Sequence, residues 1–293
     1  MSPNIITIFT PTYNRQATLE RLFKSLTNQS NKNFEWIVID DGSTDNTESF
    51  FKKINETPIP FSLTYLKKNN GGKHRAINDA VKLAKGELFF IVDSDDYLTE
   101  NAIEQVLNWR KSLDNSHKWA GIAGLRGYSK QKAIGQNFSS NFIDAKNTER
   151  PKYHLEGDKA EVYFTDVLTK YPFPEIEGEN FISEEVVWNT IAFDDYYIRW
   201  FPSIIYICEY RNDGLTYNRI EIEKKNPQGL LLWAKNQIKV FPERYRKKVF
   251  AIFNYYQAVK EKKDLSQIAC DLSVSKLYLI CAIYSFKIAK ALH

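Results

Sequence analysis

The sequence predicts an α/β fold, with a mostly parallel central sheet flanked by helices and a C-terminal helical extension. Three observations carry that prediction. Over the first hundred residues, short apolar runs alternate with stretches whose apolar residues recur at helical spacing, the pattern of parallel strands joined by helical crossovers. Three of the four runs end in a distinctive polar turn, and a parallel sheet gathers such turns at the carboxyl ends of its strands, where ligands bind. From about Gln228 the pattern is helical to the end of the sequence.

The first strand is Ile5 to Thr10, broken by "PTYN". A helix follows, with Leu19, Leu22, Phe23 and Leu26 on one face. "FEWIVID", Phe34 to Asp40, is the second strand and ends in "DGSTD". Asp45 can cap the next helix, with Glu48 three residues on in a capping-box arrangement. The third strand is Phe61 to Leu66. After "KKNNGG" comes a helix with Ala76, Ile77, Ala80, Val81 and Ala84 on one face, and then a fourth strand, Glu87 to Val92. A helix from Ala102 to about Leu113 and a strand from Trp119 to Gly127 continue the pattern. Ser129 to Tyr171 reads as loop-rich. Phe181 to Phe193 reads as helix, and Tyr197 to Glu209 as a strand pair or one bent strand. The final helices are interrupted near Phe241–Pro242 and Asp264.

The 293 residues are 43% hydrophobic and 26% charged, an ordinary globular mixture that can bury a sizeable core. The net charge of +4 is uneven: from Arg219 onward there are fifteen Lys/Arg against six Asp/Glu. A basic tail on an acidic body suits a polyanionic partner, and equally a set of solvated helical faces. Cys208, Cys270 and Cys281 are odd in number and widely spaced, as in a reducing compartment. "MSPNIITIF" is not the pattern of a signal peptide, and no run approaches the roughly 20 apolar residues of a membrane span. A cytoplasmic location is expected.

The chemistry-bearing residues fall on the strand ends. "FIVDSDDYL" sets Asp93, Ser94, Asp95 and Asp96 directly after a buried run. Crowded carboxylates repel and resist burial, so water or a cation must compensate them. Mg²⁺ takes one or two protein carboxylates plus phosphate oxygens and water. The competing reading is an acid-rich helix start capped by Thr99. Asp40 and Asp41 end the second strand, where a carboxylate can accept from a base N–H; a tight turn accounts for Gly42, Ser43 and Asp45 but less well for two successive acids. "TPTYNR" offers Tyr13 for stacking and Arg15 for a phosphate. "NNGGKHR" offers Gly71 and Gly72 for close backbone approach, then Lys73, His74 and Arg75 at a helix start that suits a diphosphate. The spacings of a P-loop and of a G-x-G-x-x-G fingerprint are absent.

Together "TPTYNR", "VIDDGSTDNT", "NNGGKHRAIN" and "GELFFIVDSDD" resemble the glycosyltransferase family 2 signature on a GT-A fold, of the bacterial surface-polysaccharide type. The resemblance is strong over about residues 4 to 100, and "GENFISEEVVWN" and "EYRNDGLT" extend it to about 216. It implies a catalytic domain over 1–220, with a nucleotide-binding half at 1–100 and an acceptor half at 101–220, before a helical region at 221–293. It further implies that Pro11, Thr12, Tyr13 and Arg15 line the nucleotide, that Asp40 and Asp41 serve the base, and that Lys73 and His74 lie near the base or diphosphate. Asp93 and Ser94 would meet the ribose side, and Asp95 with Asp96 would hold Mg²⁺ or Mn²⁺. The implied reaction is inverting transfer from a nucleotide sugar, UDP-linked by family habit, to a saccharide or lipid-linked acceptor, with no nucleic-acid partner. Ser183-Glu184-Glu185 stands where the family carries its base in an "ED" pair. Glu184 is the preferred base and Glu185 the alternative, against the plainer reading of first-turn acids favoured by the helix dipole. Arg211 and Thr216 are candidates for a loop over the diphosphate.

Two other functions compete. A nucleotidyltransferase would open with a Gly-rich loop after the first strand, and "TPTYNR" has no glycine. A non-catalytic nucleotide-sugar-binding protein would need no base. The basic residues of 228–293, set around aromatic residues and "LYLICAIYSF", suggest peripheral membrane contact or a helix packed on another surface.

Overall fold

The computed structural model describes residues 6–209 and 219–291. The chain divides into two compact units: Met1–Pro172 with Asp194–Tyr210, and Phe173–Phe193 with Arg211–His293.

The first unit is built on a nine-stranded sheet: β1 Ile6–Thr12, β2 Phe34–Asp40, β3 Ser62–Lys67, β4 Leu88–Ile91, β5 Tyr97–Leu98, β6 Lys118–Gly127, β7 Ile143–Ala145, β8 Lys159–Phe164 and β9 Tyr196–Ile207. The strand order is β3-β2-β1-β4-β8-β6-β9-β5, with β7 also on β9. β1 to β4 are parallel, as expected, and so are β6 and β9. β8, β5 and β7 pair antiparallel, so the second half of the sheet is mixed. Helices α1 Gln16–Thr27, α2 Thr47–Asn55, α3 Lys73–Leu83, α4 Ala102–Lys111 and α5 Thr165–Lys170 belong to this unit. Every residue of β2 is buried, which is why "FEWIVID" reads as a continuous apolar run with enclosed acids at positions 35 and 40. Trp36, Phe51, Phe34 and Leu22 sit at the centre of this core.

Several boundaries differ from the sequence reading. β1 runs on through Pro11 and Thr12. The Val92 N–H donates to the Phe9 carbonyl, so Phe9 faces β4. Pro11, two residues on, faces past the end of that strand, where its missing N–H breaks no ladder bond. Asp45 does accept from Thr47 N–H and Oγ1, but Asn46 is the residue before α2, and Glu48 pairs with Lys52 and Lys67 instead of closing a capping box. The stretch 129–171 is more ordered than expected, holding β7, a 3₁₀ segment Asn147–Tyr153, β8 and α5. β9 is one strand with bulges against β6.

The second unit holds α6 Glu185–Phe193, α7 Arg219–Lys225, α8 Pro227–Val240, α9 Tyr245–Val259, α10 Leu265–Leu272 and α11 Lys276–Ala291. Its own core includes Leu230, Trp233, Ile252, Tyr255, Ile268 and Leu279. Both expected interruptions fall between helices. Pro242 lies between α8 and α9, and Asp264 caps α10 through Ser266 and Gln267 N–H in a capping box. The Glu179 carboxylate receives the Gln228 and Gly229 N–H groups at 2.8 and 2.7 Å, satisfying two orphan donors at the start of α8.

Two glycines predict a graded response. A Cβ on Gly121 in β6 would lie 2.1 Å from the Val162 carbonyl oxygen of β8, whereas one on Gly178 would meet nothing within 4 Å and suffer only its φ of +78°. Gly121→Ala is expected to lower the unfolding free energy by about 3 kcal/mol or more, and Gly178→Ala by about 1 kcal/mol, in urea titrations.

Candidate functional site

The four turns that follow β1 to β4 are joined into one network. Asn14, in the left-handed region at φ 52°, receives Thr44 N–H on Oδ1 at 2.8 Å and donates its own N–H to Ser43 Oγ at 2.9 Å. That ties "TPTYNR" to "DDGSTD". The Asp41 carboxylate then accepts from Gly71 N–H and Gly72 N–H, each at 2.8 Å, tying the second turn to "NNGGKHR". Gly42, at φ +90°, lets the chain pass Asn70, whose backbone nitrogen would be 3.0 Å from a Cβ there. Finally Lys73 Nζ donates to Asp93 Oδ1 at 2.6 Å, linking the third loop to the acidic turn.

The acidic turn is anchored from behind. Tyr206 on β9, fully buried, receives the Asp93 N–H at 2.9 Å and donates to Asp96 Oδ2 at 2.8 Å. Arg126 on β6 lies 3.7 Å from Asp93 Oδ2 with its guanidinium over the Tyr206 ring at 4.2 Å. Glu209 N–H completes the set, donating to Asp96 Oδ1 at 3.0 Å. Arg21 of α1 bonds the Asp95 carbonyl and the Glu209 carboxylate, both at 2.5 Å. The turn is not a helix start: β5 separates it from α4, and Thr99 N–H bonds Ile205 of β9 instead of capping.

These contacts sort the four carboxylates. Burial works against charge on Asp93, yet Lys73 and Arg126 hold its pKa below the ordinary value. Asp95 is raised by burial and then by the charge of Asp93, with Arg15 opposing. Burial and Asp93 push Asp96 up to about 6. Asp41 is raised by burial against the pull of its two glycine amides. Among the described residues, Asp95 is the acid of this turn whose carboxylate makes no hydrogen bond to another residue.

A hard divalent cation fits this donor set. An open, partly buried oxygen donor sits beside a second carboxylate, and both pKa values are raised, first by burial and then by the charge of Asp93, so a cation there would relieve both. Among the described residues no group of three or more His, Cys, Asp or Glu could by itself hold a metal ion.

The remaining site candidates are placed as follows. Tyr13 is 49% exposed, its ring open to a ligand, and Arg15 is partly exposed at the start of α1. Thr12 is buried, and its Oγ1 has no hydrogen-bond partner among the described residues. Pro11 is partly buried, and Ser94 is buried inside the acidic turn. Asp40 is fully enclosed, with Oδ1 accepting Ser43 N–H and Oδ2 the Tyr65 hydroxyl. His74 is 2% exposed, among the buried residues of α3.

Glu184 and Glu185 belong to the second unit. Glu185 Oε2 accepts from Trp233 Nε1 at 2.6 Å and Gln237 Nε2 at 3.2 Å, both on α8. Arg211 and Thr216 lie outside the described residues. The sequence reading missed Asn14, Arg21, Arg126, Tyr206, Trp233 and Gln237. Asn14 lies within "TPTYNR" but its side chain was given no role there; the other five sit inside helices or strands with no motif to mark them, and an Arg at the end of an otherwise apolar strand was the one available signal, for Arg126.

Comparison with known proteins fits this geometry. Residues 7–170 match the family model described as Glycosyl transferase family 2. Poly(ribitol-phosphate) beta-N-acetylglucosaminyltransferase TarP of Staphylococcus aureus is 36% identical over 133 residues, 44% of this chain and 40% of that protein. A poly(ribitol-phosphate) beta-glucosyltransferase of Bacillus spizizenii is 31% identical over 148 residues, 48% of this chain and 23% of that protein. The chain therefore spans less than half the length of these two relatives. GalNAc(5)-diNAcBac-PP-undecaprenol beta-1,3-glucosyltransferase of Campylobacter jejuni is 26% identical over 264 residues, 86% of this chain and 80% of that protein. The crystal structure of S. aureus TarS 1–349 in complex with UDP-GlcNAc aligns with a TM-score of 0.61 at 18% identity, covering 95% of this chain and 88% of that one. The Pyrobaculum calidifontis mannosyltransferase PcManGT, in complex with GDP-Man and Mn²⁺, aligns at 0.58 and 18% identity over 100% of this chain and 87% of that one. Both share the GT-A fold with this chain.

Tyr206→Phe isolates the anchor. It keeps the ring under Arg126 but strands the Asp93 N–H and removes a donor from Asp96. The expected loss is about 1–3 kcal/mol of unfolding free energy, read by urea denaturation.

Proposed function

The chain belongs to glycosyl transferase family 2, and from that membership we propose that it is a metal-dependent inverting glycosyltransferase acting in bacterial surface-polysaccharide assembly. The observation that carries this reading is the single hydrogen-bonded network joining the four strand-end turns around the open Asp95 carboxylate. A nucleoside-diphosphate sugar supplies the matching chemistry: a flat base, two phosphates and a leaving group that gains negative charge. UDP is the favoured carrier, supported by the likeness in fold to TarS, crystallised with UDP-GlcNAc. A polymer or lipid-linked acceptor is supported by the names of the TarP and C. jejuni relatives. Action at the cytoplasmic face of the membrane accords with both.

In this reading Tyr13 stacks on the base, and the buried Thr12 hydroxyl finds its missing partner on the nucleotide. Asp41 holds the Gly71–Gly72 backbone against the ligand and keeps lone pairs for a base N–H. Arg15 and Lys73 attract the diphosphate. Asp95 is the principal ligand for Mg²⁺ or Mn²⁺ and Asp96 the second, because Tyr206 and Glu209 already engage Asp96. The bound cation would offset charge on the departing diphosphate.

The base takes the proton of the acceptor hydroxyl as that oxygen attacks the anomeric carbon. Glu185 is the better candidate, reversing the preference drawn from sequence. Trp233 and Gln237 fix one of its oxygens by charge-assisted hydrogen bonds and leave Oε1 for the proton.

Glu185→Gln is expected to lower kcat by about 10²- to 10⁴-fold with donor affinity unchanged, and Glu184→Gln to have the smaller effect. Trp233→Phe, which removes the indole N–H that orients the Glu185 carboxylate, should lower kcat by about tenfold with donor affinity unchanged. Transfer assays over a panel of UDP- and GDP-sugars measure all three. Full transfer by the Glu184→Gln, Glu185→Gln double variant would favour a non-catalytic nucleotide-sugar-binding protein.

A further inference from the structure

We propose that α11 docks the protein on an anionic lipid surface through the stripe Leu277, Cys281, Tyr284 and Ile288. This inference does not depend on which glutamate is the base, nor on the donor.

The helix has two apolar faces. Leu279, Ala282 and Ile283 are buried in the core of the second unit, and Phe286 stacks on Phe253 of α9 at 4.2 Å. That face accounts for the packing of the helix. The opposite face repeats at i, i+4, i+7 and i+11, and it is apolar too: Leu277 is 72% exposed, Tyr284 61% and Ile288 60%, with Cys281 exposed between them. A helix on the surface of a water-soluble protein carries polar residues on its outer face; one apolar all round is covered by something.

Charge identifies the covering. The α11 sequence contains Lys276, Lys287 and Lys290 and no acidic residue. Lys276 and Lys287 project about 90–110° around the helix from the stripe, where an interfacial helix sets its cations among the lipid headgroups. The sequence from Arg219 onward carries the fifteen-to-six excess of basic residues, so a second copy of the chain would bring like charge to this face whereas an anionic bilayer brings opposite charge. The geometry is that of a helix lying in the interface. Its 16 residues extend about 24 Å, short of the roughly 30 Å hydrocarbon core, and among the described residues no single helix is long and apolar enough to cross a membrane.

Cys281 makes the stripe directly measurable. Cys270→Ser removes the other exposed thiol, and the Cys208 thiol, its pKa pushed up to about 12 by burial, reacts slowly. An environment-sensitive fluorophore on Cys281 of this variant is expected to shift to the blue with phosphatidylglycerol-containing vesicles and not with pure phosphatidylcholine. Unlabelled protein should co-sediment with the same vesicles. Leu277→Glu with Ile288→Glu, two exposed positions, should reduce that partitioning about tenfold or more while leaving donor hydrolysis intact. Absence of a shift with anionic vesicles would overturn the proposal. So would a shift that follows protein concentration without lipid, which would mark the stripe as a contact between copies of the chain.

Discussion

The acidic turn depends on Asp93 being neutralised from inside the protein. Lys73 reaches it from the loop after β3, Arg126 from β6, and Tyr206 of β9 joins its backbone to the Asp96 carboxylate. Without those partners three carboxylates within four residues would repel one another and move apart, or take up protons. With them, one acid is satisfied by cations, one by hydrogen bonds, and Asp95 keeps an open oxygen. The mixed second half of the sheet has its purpose here. β8 inserts antiparallel between β4 and β6, and the parallel β6/β9 pair brings Arg126 and Tyr206 side by side in register.

The first half of the sheet was legible in the sequence because β1, β2 and β4 are short, buried apolar runs and β3 an alternating edge strand, and the turns after them concentrate Asp, Asn and Gly. The region 129–171 was not. Lys159 and Glu161 put charges inside β8, and that breaks the apolar signal. In the folded chain Lys159 is 1% exposed, its amine bonded to the Glu156 carbonyl, and burial lowers its pKa to about 8. Tyr206 and Arg126 escaped notice for a different reason: their roles arise from register between strands 80 residues apart in sequence, which no local pattern records. Asp40 and His74 show the reverse case. Both lie inside the motifs and are buried, and the Asp40 carboxylate is engaged by Ser43 N–H and the Tyr65 hydroxyl.

For Glu184 and Glu185, the proposed choice of base rests on surroundings that the sequence does not record. Helical position alone favoured Glu184. The indole N–H of Trp233 and the amide of Gln237 reach Glu185, so part of the C-terminal helical segment positions the carboxylate proposed to act as base. The same unit carries the outward apolar stripe of α11. A helical region that looked undiagnostic in sequence therefore carries two proposed roles, one in orienting a carboxylate and one at a surface.

The central claim is that Asp95 is the open acid of an otherwise internally satisfied turn, and that it binds the cation accompanying a nucleoside diphosphate. Calorimetric titration of UDP with and without Mn²⁺, on the wild-type chain and on Asp95→Asn, tests it most directly. The account predicts that Mn²⁺ strengthens UDP binding to the wild type by about tenfold or more, an energy on the order of 1.4 kcal/mol, and that Asp95→Asn abolishes this enhancement. Equal enhancement by Mn²⁺ in both proteins would contradict it.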